Sequence, residues 1–150
     1  MKTNWDEAIK RLLEDEGSND DDPADPGGRT SRGIIQREWN KWRETHPGRP
    51  ADVWEAPQAD VLAIYKQNYW DKLRCDDLPP GVDYCVFDYG VNSGISRAAK
   101  VLQGYAGAEV DGEIGPVTIA ATASKDATGL VNSICDERMA FLHELRTWPR

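Results

Sequence analysis

Apolar residues recur at helical spacing along most of this chain. Trp5, Ala8, Ile9, Leu12 and Leu13 form one stripe, with Asn4 placed to cap it, Glu7 three residues on, and Gly17 as a stop. Residues 17–33 are rich in Gly, Pro, Asp and Ser and read as a loop with room for a short hairpin. Ile35, Trp39 and Trp42 mark a second helix, and Thr45–Pro50 a loop. Pro57 is placed to open a third helix at its first position, with Val61, Ile64, Tyr65 and Tyr69 as its apolar face. After an Asp76–Gly81 breaker, Val82–Val91 is apolar nearly all round and predicts a buried central helix. Ile95, Ala98, Ala99, Leu102 and Tyr105 give another. Pro116 starts one more, and Val131, Ile134, Phe141, Leu142 and Leu145 predict a long last helix. No long alternating strand appears. The expected fold is mainly α.

Composition narrows the chemistry. Lys and Arg total 18 against 26 Asp and Glu in 150 residues, a formal charge of −8. Such an acidic chain is poorly suited to neutralising phosphates, so no nucleic-acid partner is expected. Three cysteines with no Cys-x-x-Cys and two distant histidines predict neither a disulfide framework nor a metal cluster. The N-terminus runs straight into a charged amphipathic segment without a signal-like apolar core, and no run of 18 apolar residues occurs. The expectation is a chain made in a reducing compartment, without cofactor, metal or stable membrane association.

One carboxylate is out of place. The stripe 5-8-9-12-13 continues to 16, so Glu16 falls on the apolar side of the last turn of its helix. Desolvation disfavours the charged form of such a group, and a carboxylic acid kept protonated can protonate a leaving glycosidic oxygen. A plain solvent-facing helix end is the alternative. Asp25 follows nine residues later in an Asp-Pro-Ala-Asp-Pro-Gly-Gly turn. Two carboxylates flanking a scissile bond are the usual minimum for glycoside hydrolysis. The acidic run Asp20, Asp21, Asp22 with Asp25 could also be a solvated loop. No frame across it combines Gly at the sixth position with Glu at the twelfth, so it fails the EF-hand pattern.

Glu16-Gly17, Asp22-Pro-Ala-Asp-Pro-Gly-Gly-Arg-Thr30 and Gly33-Ile34 together resemble the signature of glycoside hydrolase family 108. Its members are phage and prophage endolysins, N-acetylmuramidases that cleave peptidoglycan. The resemblance continues through Ile64-Tyr65, Tyr69-Trp70-Asp71, Leu78-Pro79, Gly81-Val82-Asp83-Tyr84 and Val86–Gly94. It implies a lysozyme-like helical fold with Glu16 as the catalytic acid, Asp25 as the second carboxylate and Thr30 as the hydroxyl that holds water. The Glu-x8-Asp spacing is also that of T-even phage lysozymes, whose Thr six residues after the Asp would fall on Ser31. Thr30 is favoured because it fits the family 108 pattern. Ser18, Asn19 and Asp21 depart from that pattern, which has Gly, Tyr and Asn there. The loss of an aromatic beside the acid bears on activity level and pH optimum.

Two further segments carry expectations. Leu102-Gln103 and Val110-Asp-Gly-Glu-Ile-Gly-Pro-Val-Thr118 resemble the core of helical peptidoglycan-binding modules, or else form a well-made interhelical turn. Asp88 and Asn92 share a face of the central helix, and with Tyr89, Tyr69 and Trp70 are candidate sugar-cleft lining. The expected organisation is a lysozyme-like catalytic region at 1–95 and a peptidoglycan-binding region at 96–150, packed as one compact unit. The implied partner is the peptidoglycan glycan strand. The implied life history is a monomer held in the host cytoplasm until a holin releases it to the cell wall. Two alternatives stay open: a noncatalytic cell-wall-binding or secretion-associated protein on the same fold, and a lytic transglycosylase.

Overall fold

The computed structural model describes residues 4–16, 19–21 and 29–147, with side chains described over 4–14 and 29–137. The fold is mainly α. The chain forms two compact units: Asp6–Gln67, and a second that joins Trp5 to the chain from Asn68 onward.

The first unit begins in helix α1 (Trp5–Glu16), whose Ala8, Ile9 and Leu12 are buried as the stripe requires. A small antiparallel sheet follows, ordered β1 (Asn19–Asp21), β2 (Arg29–Ser31), β3 (Ile34–Ile35). Asp20 pairs with Thr30, and Thr30 with Ile35. Arg32 and Gly33 join β2 to β3 with φ of 51° and 86°. Positive φ at both central residues is the turn that matches strand twist, and glycine at the second favours it. Arg32 is held in this unusual conformation from both ends. Its carbonyl accepts the Tyr65 hydroxyl at 2.6 Å, and its guanidinium donates to Ser31 Oγ, Gln58 Oε1 and the Ala56 carbonyl.

Helix α2 (Gln36–Thr45) buries Trp39 and Trp42. The Trp39 indole donates to the Pro50 carbonyl, and Arg49 pairs with the buried Asp60 at 3.0 Å, which ties the intervening loop down. Pro57 caps helix α3 (Gln58–Tyr65) with extended backbone instead of opening it as its first residue. The apolar run beyond Tyr65 does not continue as one α-helix either. It widens into a π turn over Lys66–Trp70, followed by a 3-10 turn at Cys75–Asp77.

The second unit is built on helix α4 (Val82–Ser93), with Val82, Val86, Phe87 and Tyr89 buried. Its buried Asp83 is fully engaged: it accepts from the Gly81 and Tyr84 amides and from Asn4 Nδ2. Gly90 permits close packing: a Cβ there would lie 2.7 Å from Leu73 Cδ1, so the buried Leu73 side chain would have to shift. Helix α5 (Ile95–Ala106) turns off α4 at Gly94, and α6 (Pro116–Ala123) opens on Pro116 as expected. Helix α7 (Ala127–Thr147) starts four residues before the apolar stripe begins. The reason is a cap: Asp126 Oδ2 accepts the Gly129 amide at 3.0 Å.

Candidate active site

Glu16 is the last residue of α1, one turn beyond the buried Leu12. Its side chain lies outside the described residues, as do Asp22 and Asp25. What the structure does describe is the strand that carries Thr30 and the clamp that fixes it. Along β2, Arg29 is exposed, Thr30 half-buried and Ser31 fully buried. This alternation separates the two candidate hydroxyls. Ser31 Oγ faces the interior and accepts Arg32 Nε at 3.0 Å, whereas Thr30 is on the opposite, partly accessible side.

A 3-10 turn at Val53–Glu55 holds that strand through three residues. Trp54 Nε1 donates to the Thr30 carbonyl at 2.9 Å. Asp52 caps the turn by accepting the Trp54 amide at 3.0 Å, and its other oxygen pairs with Arg29. The Arg29 guanidinium in turn lies 4.1 Å over the Trp54 ring, a cation–π contact. Asp52 and Trp54 were missed in the sequence, where Arg29 stands only as part of the family motif. Trp54 had one available signal: an aromatic between Pro50 and Pro57, outside any apolar stripe.

The aromatic candidates in the second unit need correction. Trp70 is 0% exposed, edge-on to Trp5 at 5.4 Å and Phe87 at 5.3 Å, with its indole donating to Asp76 at 2.8 Å. Tyr89 is likewise fully buried. Neither ring offers a face to a sugar; both are core. Tyr69 is half-buried. Asp88 and Asn92 do share a face, with Asn92 Nδ2 donating to the Asp88 carbonyl at 2.9 Å and to its carboxylate at 3.1 Å.

The segment Val110–Thr118 is organised by one buried side chain. Gln103 is 0% exposed; its amide nitrogen reaches Asp111 Oδ1, the Glu113 carbonyl and Thr118 Oγ1. Its oxygen accepts the Asp111 and Gly112 amides. Asp111 accepts the Glu113 amide as well, and these bonds, that from Glu113 first, hold its carboxyl below the usual range. Beside α5 lies an open cleft of about 790 Å³, lined by Arg97, Lys100, Val101, Tyr105, Val110 and Glu137 among others. Tyr105 and Val110 are 42% and 52% exposed there, and the Tyr105 hydroxyl donates to Glu137. Among the described residues no cluster of His, Cys, Asp or Glu could hold a metal ion, and no helix is long and apolar enough to cross a membrane.

The glycosyl hydrolase 108 family profile matches residues 9–94. The chain belongs to glycosyl hydrolase family 108. Residues 97–149 match a second family, described as a predicted peptidoglycan domain. This family 108 protein is also similar to a solved structure, Brucella abortus SagA. The two are 36% identical with a TM-score of 0.87, over 99% of this chain and 86% of that one. No curated protein matches it. Membership makes the chain a glycoside hydrolase, and its C-terminal match makes peptidoglycan the substrate partner. Glu16 and Thr30 both fall inside the hydrolase match, as does the clamp of Arg29, Asp52 and Trp54. The Gln103 turn and the cleft residues from Arg97 onward fall inside the peptidoglycan match.

Proposed function

We propose that this family 108 hydrolase cuts the β-1,4 bond between N-acetylmuramic acid and N-acetylglucosamine, with water as the acceptor. In this reading Glu16 protonates the glycosidic oxygen as the C1–O bond breaks. Asp25 stabilises the oxocarbenium charge or positions a base, and Thr30 holds the water that adds to C1. The observation that carries it is the pinned β2 strand. It keeps Thr30 half-accessible, on a strand paired with the β1 segment that directly follows the helix ending at Glu16. A hydroxyl that positions water must itself be held, and the Trp54 and Arg29–Asp52 contacts supply that rigidity. Product analysis tests the reaction type. Digested peptidoglycan is expected to carry reducing muramic-acid ends with one oxygen from labelled water. Anhydromuramic ends without label would make the protein a transglycosylase.

The cleft beside α5 is a second contact with the wall in this proposal. Arg97 and Lys100 lie one helical turn apart beside an exposed tyrosine, in a chain of net charge −8. That local reversal of sign fits the carboxylate-bearing peptide stems of peptidoglycan. The double variant Arg97→Glu, Lys100→Glu is expected to lose about fivefold in binding to insoluble peptidoglycan at low salt, since exposed charge pairs are worth about 0.2–1 kcal/mol each. Hydrolysis of short soluble glycan fragments should be unchanged. Equal binding by both forms would remove the cleft from the wall contact.

Release is the third part. No helix among the described residues is long and apolar enough to cross a membrane, and peptidoglycan lies outside the inner membrane. We propose the endolysin route, in which the monomeric enzyme collects in the cytoplasm and passes a holin lesion. Expression by itself should leave bacteria intact, and permeabilising the inner membrane should lyse them within minutes. Lysis on expression alone would refute this route.

A further inference from the structure

The sequence offers three cysteines with no pairing motif, yet the fold brings two of them into contact. Cys85 on α4 and Cys135 on α7, 50 residues apart, have their sulfurs 3.6 Å from each other. We propose that Cys85 and Cys135 form a disulfide when the protein meets an oxidising, thiol–disulfide-exchanging environment. A bonded pair sits at about 2.05 Å, so closure asks for roughly 1.6 Å of approach, within reach of side-chain torsion.

The two sites differ in the way the reaction needs. Cys135 is exposed and Cys85 half-buried. The Cys135 thiolate attacks a small disulfide RS–SR, forming a mixed disulfide and expelling one RS⁻. The Cys85 thiolate then attacks Cys135 Sγ and expels the second. Two protein thiols are oxidised, one RS–SR is reduced to two RSH, and the protons leave with the thiols. The third cysteine is a bystander. Cys75 is fully buried, and burial, reinforced by the nearby Asp83 carboxylate, pushes its thiol well above the usual range, away from reactive thiolate.

The bond would tie α4, inside the hydrolase match, to α7, inside the peptidoglycan match. Both helices belong to one compact unit, so the link closes a long loop without spanning the two units. Closing a loop of this length removes much unfolded-state entropy, and for a chain of this size the expected gain is about 10 °C in Tm. An enzyme made under reducing conditions would then gain stability only after leaving them.

The test is oxidation of the purified full-length protein with oxidised glutathione. The oxidised form should be about 2 Da lighter than the reduced form. Peptide mapping should join the Cys85 and Cys135 peptides, with Cys75 alkylated only after denaturation. Tm should rise by about 10 °C, and the rise should vanish in Cys85→Ser and in Cys135→Ser, which fold as the reduced protein does. A stable glutathione adduct on Cys135 without the crosslink, a crosslink that includes Cys75, or an unmoved Tm would each overturn the proposal. None of these readouts depends on which glycan bond the enzyme cuts.

Discussion

Glu16→Gln is expected to abolish lysis of purified peptidoglycan while leaving the fold intact. The substitution keeps the shape of the side chain at the end of α1 and removes its ability to donate a proton. General acid catalysis is worth about 10²–10⁴-fold, so turnover should fall at least about a hundredfold. The melting temperature should stay within a few degrees of the parent, since Glu and Gln have nearly the same shape and volume. Asp25→Ala, nine residues on, should also lose most activity. More than a tenth of parental turnover in Glu16→Gln would assign the proton donor elsewhere. Full activity in Asp25→Ala with anhydromuramic products would point to a one-carboxylate transglycosylase.

Much of this architecture is legible in the chain because its helices are amphipathic. The stripe Ala8, Ile9, Leu12 and the apolar faces of α4 and α5 bury as their spacing requires. The Gly33 turn and the Pro116 helix start follow from backbone stereochemistry that few other residues satisfy. What periodicity cannot show is which partner a side chain finds far along the chain. Gln103 is a polar residue on an otherwise apolar helix face, and only the fold reveals that it binds the backbone of the 111–113 turn. The same limit hid the Arg29–Asp52–Trp54 clamp, in which Arg29 lies 23 residues before Asp52, and the Cys85–Cys135 contact. The start of α7 is not legible in its apolar stripe for a different reason. A helix begins at its cap, here Asp126, and the apolar stripe need not start there.

The aromatic residues illustrate a choice that composition leaves open, since tryptophan serves cores and sugar clefts alike. The structure gives Trp70 to the core, and that assignment has a measurable consequence. Trp70→Ala should destabilise the protein by about 3–5 kcal/mol, because it leaves a cavity between Trp5 and Phe87 and a lone Asp76 acceptor. For a chain of this length that is a fall of about 10 °C or more in Tm. Trp70→Phe keeps an aromatic ring at the site and loses the indole bond and a smaller volume than Trp70→Ala, so its melting point should drop less. Its kcat and KM on peptidoglycan, measured well below the transition, should match the parent. A sugar-stacking tryptophan would behave in the opposite way. Both variants would then bind substrate more weakly, KM would rise, and the melting curve of Trp70→Ala would scarcely move. A raised KM without lost stability would return Trp70 to the substrate cleft.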